Sequence, residues 1–325
     1  MAQKLTIAGI AAGVLMTASA ALAQGYPERQ ITMVIPFAAG GPTDTVGRLI
    51  AERMSADLGQ QVIVENVGGA GGTLGAGQVA TAEADGYTVL LHHIGMATAP
   101  TLYRNLPFDP VEAFDPVGLV TEVPMTIVAR KDLEPADFAS LVTYVKENAD
   151  TITMANAGIG AASHLCGMLF MQALEAPIVT VPYKGTGPAM TELLGGQIDI
   201  MCDQTTNTAE QIRGGTIKAY AVTTPARLDI FPDLPTVGEG GFPGLEVSVW
   251  HGLYAPKGTP AEAVARLTQS LQTALADPGI AEKLAELGTA PSSAADATPE
   301  ALKAKLEAEI ARWKPVIETA GVYAD

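Results

Sequence analysis

The sequence predicts an α/β protein of two lobes, each a doubly wound sheet with flanking helices, joined by two hinge crossings. Three observations predict it. Short apolar runs alternate with amphipathic helical patterns along most of the chain, as expected of strands covered by helices on both faces. A strand–turn–helix corner occurs twice, as Ile31-Thr-Met-Val-Ile-Pro36-Phe37-Ala38-Ala39-Gly40-Gly41-Pro42 and, 146 positions later, as Ile178-Val-Thr-Val-Pro182-Tyr183-Lys184-Gly185-Thr186-Gly187-Pro188. Two strand-like runs, Met125 to Arg130 and Leu245 to Tyr254, lead out of the first half and back into it. Two such crossings make a hinge.

In chain order, Lys4 precedes the apolar run Leu5 to Met16, and small residues close in Ala21-Leu22-Ala23. This is the form of a cleaved secretory signal, residues 1–23, with the mature chain starting at Gln24. A retained membrane anchor is the alternative, and the absence of Cys near the cleavage site argues against a lipoprotein. Ile31 to Phe37 is mostly apolar, which suits a parallel strand buried on both faces. Thr43 to Leu58 carries Val46, Leu49, Ile50, Met54 and Leu58 on one helical stripe. Gln61 to Glu65 is the next strand, Gly68 to Gly77 a glycine loop running into a short helix, and Tyr87 to His92 a third strand. A loop rich in Pro and Asp, Asn105 to Pro116, leads to strand-like runs at Val117 to Val120 and Met125 to Arg130. The pattern then restarts with helix Phe138 to Asn148, strand Thr151 to Ala155 and helix Ala161 to Leu174. After the second corner come helix Ala189 to Leu194, strand Gln197 to Cys202, helix Thr206 to Arg213 and strand Ile217 to Thr223. Phe231 to Gly244 is a Pro- and Gly-dense crossing, followed by helices from Pro260 onward and a final one from Pro299 to Ala320. Residues 24–124 with 246–325 form the first lobe on this reading, and 125–245 the second.

The 325 residues, 48% of them hydrophobic, suffice for two cores. Net charge is 19 minus 35, or −16, and −17 once Lys4 is removed. Nucleic acid and anionic lipid are thereby disfavoured as partners. An anionic ligand would have to be held by local amide dipoles against that field. After Ala23 no stretch reaches the roughly 18 unbroken apolar residues of a spanning helix. Only Cys166 and Cys202 occur; an exported chain permits a bridge between them, while a pair of buried free thiols is the plainer reading.

The chemistry of the corners is anion capture. Glycine lets the backbone approach a ligand, the first amides of a helix have no internal acceptor, and Pro at the first turn surrenders only an orphan N–H. The two corners are therefore read as facing jaws closing on a small carboxylate. Gly158-Ile-Gly160-Ala161-Ala162-Ser163-His164 is a third such turn, with Ser163 or Asn156 as cap donor. Asp203-Gln204-Thr205-Thr206-Asn207 follows a strand at its carboxyl edge, where Asp203 is either a plain N-cap or a cleft residue. Lys184 is the one cation inside either corner, with a solvated surface lysine as its bland reading. His92 and His93 end a strand at the edge where crevices form, and neighbours on a strand point to opposite faces.

Competing chemistries find less support. The glycine loop lacks the G-x-x-x-x-G-K-[ST] order of a phosphate loop. Ser163 and His164 are adjacent in sequence, without a G-x-S-x-G elbow, so no nucleophile–base pair assembles. His92, His93, Asp203 and His251 have no metal-motif spacing. The protein is read as a non-enzyme without cofactor or metal, against the alternative of an exported hydrolase or lyase using His92, His93 or His164 as base.

The stretches Pro36-Phe-Ala-Ala-Gly-Gly-Pro-Thr-Asp44, Asn66-Val-Gly-Gly-Ala-Gly-Gly-Thr73, Asp85-Gly-Tyr87, Pro182-Tyr-Lys-Gly-Thr-Gly-Pro-Ala189, Gly195-Gly-Gln-Ile-Asp199 and Ala255-Pro-Lys-Gly-Thr-Pro260 occur in this order. Together they resemble the substrate-binding proteins of tripartite tricarboxylate transporters, the TctC or Bug family. The resemblance implies a periplasmic, monomeric Venus-flytrap binder that delivers a mono-, di- or tricarboxylate to membrane permease subunits; a ligand-presenting sensor subunit differs only in partner. It further implies that Phe37, Ala39, Gly40, Gly41, Thr43 and Asp44 hold one carboxylate through amides and bridging waters, and that Lys184, Gly185, Thr186 and Gly187 approach from the other lobe. Gly158, Ala161, Ser163, Asp203 and Gln204 would shape the selective end; His92 and His93 are candidate ligand-binding residues from their place at the end of a strand, not from the resemblance. Two places depart from the family pattern: Ala161 stands where Ser or Thr is common, and His92-His93 where a Gly-Thr/Ser-His-type loop is common.

Overall fold

The computed structural model describes residues 25–324; the expected export signal and Gln24 lie outside them. Three strands open the chain: β1 (Ile31–Ile35), β2 (Val62–Asn66) and β3 (Thr88–His93). They form a parallel ladder in the order β2-β1-β3. Every residue of β1 except Thr32 is buried, as its apolar run requires. Helix α1 (Pro42–Leu58) joins β1 to β2. It begins on a proline and stops where Gly59 takes φ +68°, a left-handed turn that glycine adopts without strain. Its Val46, Ile50 and Met54 meet Ile31, Met33 and Ile35 in a core closed from outside by α8 (Ala261–Leu275). Helix α2 (Thr73–Ala80) follows the glycine loop.

A helix that the periodicity does not announce, α3 (Gly95–Leu102), follows β3. Most of its residues are buried, so no polar stripe marks it, and Pro100 inside it reads locally as a breaker. The two strand runs expected near Val117 and Met125 form one 17-residue strand, β4 (Phe114–Arg130). Helix α4 (Phe138–Glu147) is fixed by a capping box between Asp137 and Ser140. Then come β5 (Thr153–Asn156), α5 (Ala162–Leu174), β6 (Val179–Pro182), α6 (Thr186–Leu194), β7 (Ile200–Gln204), α7 (Thr205–Arg213) and β8 (Ile217–Val222). The chain returns on β9 (Ser248–Pro256) and ends with α8, α9 (Pro278–Glu286) and α10 (Pro299–Ala320).

The strands form one curled sheet in the order β2-β1-β3-β9-β4-β7-β5-β6, with β8 also paired to β4. The sheet is mixed. Strands β6, β5 and β7 form a second parallel ladder, but β9 runs antiparallel to β3 and β4, and β4 antiparallel to β7 and β8. A chain that crosses out on one strand and back on its neighbour must reverse direction between them. The handover lies inside β4: Pro124 is the last residue paired with β9 and Met125 the first paired with β7. A proline, having no N–H for the ladder, suits the point where partners change.

Cys166 on α5 and Cys202 on β7 form a disulfide, with Cα atoms 6.1 Å apart. This corrects the free-thiol reading. Helix α5 packs across β7 and brings the two buried residues within bridging reach, an adjacency that a separation of 36 positions conceals. Replacing both by alanine is expected to lower stability by about 2–4 kcal/mol while keeping the far-ultraviolet spectrum. Urea unfolding of the oxidised protein and the double variant checks this, and coincident transitions would contradict it.

Candidate functional site

The two corners touch through their main chains. The Ala38 amide donates to the Lys184 carbonyl at 2.9 Å. A Cβ on Gly187 would lie 2.8 Å from the Ala39 carbonyl oxygen and 2.9 Å from the Gly41 nitrogen, and one on Gly185 2.9 Å from the Ala38 nitrogen. Only glycine permits this approach. A second contact joins the glycine loop before α2 to the turn before α5, where a Cβ on Gly71 would meet the Ile159 carbonyl oxygen at 1.8 Å.

Beside these contacts lies a small, narrow cavity. Phe37, Pro42, Thr43 and His93 line it from the first half of the sheet, and Ala157, Ala162, Ser163, Thr186, Asp203 and Gln204 from the second. All ten are buried. A larger hollow between α8 and the start of α10 is lined almost entirely by exposed and half-buried side chains. The small cavity is the candidate site because buried polar groups of both halves converge on it.

Of the residues singled out in the sequence, Phe37, Thr43, His93, Ser163, Thr186, Asp203 and Gln204 come together there. The others take supporting or outer places. Gly41, Gly185 and Gly187 form the corner contact, while Ala39 and Gly40 are exposed at its rim, as is Lys184, whose carbonyl rather than ammonium is engaged. Asp44 turns away: its carboxylate accepts from the Gly40 amide (2.9 Å), Arg48 Nε (2.9 Å) and Asn66 Nδ2 (2.9 Å). Burial opposes its charge, yet these donors together hold its pKa below the ordinary value. It therefore braces the corner from behind. His92 sits behind Gly72, where a Cβ would lie 2.8 Å from Nε2, and its Nδ1 accepts from the His93 amide at 2.7 Å. His93 lines the cavity, stacked on Phe37 at 4.5 Å between ring centres. Gly158 and Ala161 shape the turn, Ala161 as the extended N-cap residue of α5. Pro42, Ala157 and Ala162 also line the cavity, and sequence reasoning passed over them. A small apolar residue carries no chemical signal, although Pro42 and Ala162 stand in the turns already picked out.

Four helices start at this cavity: α1 at Pro42, α5 at Ala162, α6 at Thr186 and α7 just after Gln204. None of the four has a side-chain cap. Elsewhere Asp137, Asp277 and Thr298 cap α4, α9 and α10, while α2, α3 and α8 also start without a side-chain cap. Each uncapped start presents orphan amides and the positive end of a helix dipole. No lysine or arginine lines the cavity.

Asp203 is the one carboxylate in it, and it is engaged. Its Oδ1 accepts from Thr186 Oγ1 and the Gln204 amide, both at 2.9 Å, and its Oδ2 from Asn207 Nδ2 at 2.5 Å. Burial nevertheless pushes its pKa up to about 6, the three donors opposing. Next to it Gln204 Oε1 and the hydroxyls of Thr205 and Thr206 are buried without a hydrogen-bond partner among the described residues. Trp250 Nε1, His251 Nδ1, Tyr254 Oη and Ser270 Oγ are in the same state away from the cavity lining, so of these atoms Gln204 Oε1 is the one whose residue lines it. Ser163 Oγ accepts from the Ala157 amide, and His164 Nδ1 from the Gly160 amide, so the adjacent pair serves separate main-chain groups. Among the described residues no group of three or more His, Cys, Asp or Glu is placed to hold a metal ion.

The model of the tripartite tricarboxylate transporter family receptor matches residues 46–322. Among solved structures, the periplasmic binding protein BugD is similar at 54% identity and a TM-score of 0.91, over 92% of this chain and all of that one. MatC from Rhodopseudomonas palustris, solved with bound malate, is similar at 40% identity and a TM-score of 0.88, over 90% of this chain and all of its own. A further R. palustris protein, solved with adipate, is similar at 34% identity and a TM-score of 0.87, over 92% of this chain and 99% of its own.

Burial also fixes how the protein meets acid. It holds His92 and His251 well below the ordinary histidine value, His93 at about 3 and His164 at about 4. The unfolded chain takes up these protons near pH 6.5, so this stability is complete above 6.5 and is lost as pH falls, by up to about 1.4 kcal/mol per unit for each histidine. Asp203 has the opposite sign: its folded value of about 6 exceeds its ordinary 3.8, so its contribution is lost as pH rises between them. It offsets about one histidine in that window. Urea titrations from pH 7.5 to 5 are expected to show stability falling on acidification, more steeply in Asp203→Asn and less steeply in His164→Gln. A flat profile would contradict the burial of four neutral imidazoles.

Proposed function

The chain belongs to the tripartite tricarboxylate transporter receptor family, and on that premise we propose that it captures a small organic carboxylate in the cavity between the corners. The observation that carries this is the meeting of four uncapped helix starts at one buried cavity that no cation lines. An exposed helix terminus contributes only about 0.3–1 kcal/mol toward an anion, and up to ~2 when partly buried. A hydrogen bond to a charged group contributes roughly 1.5–3 kcal/mol. Several amides and hydroxyls acting together thus offset the field of an acidic protein, where one terminus would not.

In this reading the starts of α1, α5 and α6, with the hydroxyls of Thr43 and Ser163, take the first carboxylate. Gln204 and Asp203 read the distal end. The malate and adipate held by similar proteins support a dicarboxylate. Residues 24–124 with 246–325 are the lobe that presents the first corner, and 125–245 the lobe that presents the second; the change of partner at Pro124 and Met125 supports that division. The protein works as a periplasmic monomer, exported by residues 1–23, and hands its ligand to the membrane permease subunits of the transporter.

Thermal-shift and calorimetric titration with mono-, di- and tricarboxylates at pH 7.5, malate and adipate among them, tests the reading. A dicarboxylate is expected to stabilise the protein and return unchanged after prolonged incubation. Stabilisation by sugars or cations alone would overturn it. Gly187→Ala, whose methyl group would press on the Ala39 carbonyl, is expected to weaken binding by about tenfold or more, ~1.4 kcal/mol, with cooperative unfolding retained. Undiminished affinity in this variant would refute the clamp of facing corners.

A further inference from the structure

The turn Gly158–Gly160 lies between two cavity-lining residues, Ala157 and Ala162, and belongs to the second half of the sheet. Its two last carbonyls are held from the first half. Tyr103 Oη donates to the Ile159 carbonyl at 2.6 Å, and Thr98 Oγ1 to the Gly160 carbonyl at 2.8 Å. Both donors come from one place, since Thr98 is on α3 and Tyr103 directly follows it. Neither lines the cavity. Gly158 and Gly160 adopt φ +98° and +87°, left-handed values that give the turn its shape. The Tyr103 ring supports the turn, since a Cβ on Gly160 would stand 3.2 Å from its Cε2. The ring's own base is secured by the end of the chain, where the Ala324 amide donates to the Leu102 carbonyl at 2.8 Å.

We propose that Thr98 and Tyr103 are positioning residues forming a latch that weights the lobes toward closure, whatever carboxylate lies between them. The proposal rests on the carboxylate reading of the same cavity. Its logic is that of a population shift. Opening the lobes breaks both bonds, and each hydroxyl and carbonyl then turns to water, a modest net loss for the closed form. Apparent affinity is the intrinsic affinity multiplied by the fraction of closed, competent protein. Thr98 and Tyr103 do not reach the cavity, so weakening the latch reduces that fraction equally for every ligand. A residue that touches the ligand would instead change affinities unequally. The corner contact between Ala38 and Lys184 is main chain on both sides and cannot be tuned by one side chain. The latch draws its donors from side chains, so it can be.

Two measurements test the latch. In calorimetry, Tyr103→Phe and Thr98→Val are each expected to raise the Kd for malate and for adipate by one common factor of roughly two- to tenfold, leaving their ratio unchanged. Thr98→Ser, which keeps the hydroxyl, is expected to bind as the native protein does. In the second measurement, spin labels on Glu52→Cys and Lys146→Cys, both exposed positions in opposite halves, report lobe separation by pulsed electron paramagnetic resonance without ligand. Tyr103→Phe and Thr98→Val are expected to shift the distances toward the longer, open population. Unequal changes in Kd, or unchanged distances in a folded double variant, would overturn the latch. Failure of malate and adipate to bind any variant would count against the carboxylate reading, and the ligand-free distances would still decide the latch.

Discussion

A binding site for an anion in a protein of net charge −16 must draw its attraction from groups that cannot be neutralised or swung away. Main-chain amides at helix starts meet that requirement, and the fold is arranged to aim four of them at one point. Strands β1, β5 and β6 each run into a helix through a turn of a few residues, β7 passes directly into α7, and their carboxyl ends open toward the same cleft. The nearby charges are spent on bracing: Arg48 and Asn66 hold Asp44, and Thr186 and Asn207 hold Asp203. Charged side chains thus fix the geometry, while backbone dipoles face the cavity.

Such a cleft needs two walls that move relative to each other without losing register. Strands β4 and β9 supply the connection, lying side by side at the centre of the sheet. β4 pairs with β9 up to Pro124 and with β7 and β8 from Met125 onward. Within the second wall, the disulfide ties α5 to β7, the elements that carry Ser163 and Gln204.

Much of this was legible in the chain, and the parts that were not have physical reasons. The corners at Pro36 and Pro182 were readable because Gly and Pro at a strand–helix junction have few other uses. Helix α10 was readable from its caps and length. Helix α3 was not, since burial nearly all round erases the stripe that marks a helix, and so the donors Thr98 and Tyr103 went unnoticed. The pairing of Cys166 with Cys202 depends on how α5 crosses β7, which no local pattern encodes. Alternation on β3 predicts that His92 and His93 face opposite ways, yet Phe37 packs against both rings, at 5.5 and 4.5 Å, and only the cavity lining shows that His93 is the one that meets it. Pro42, Ala157 and Ala162 shape the wall by being small, a property visible only once the wall exists.

The corner and glycine-loop contacts between the halves are made with peptide groups: Ala38 with Lys184, Gly187 with Ala39 and Gly41, and Gly71 with Ile159. A peptide group is the same in every sequence. The seam is therefore indifferent to most side chains around it, provided the glycines stay. Substitution of the side chains at Ala38 or Lys184 should therefore leave these contacts in place, whereas a side chain at Gly71 or Gly187 would part them.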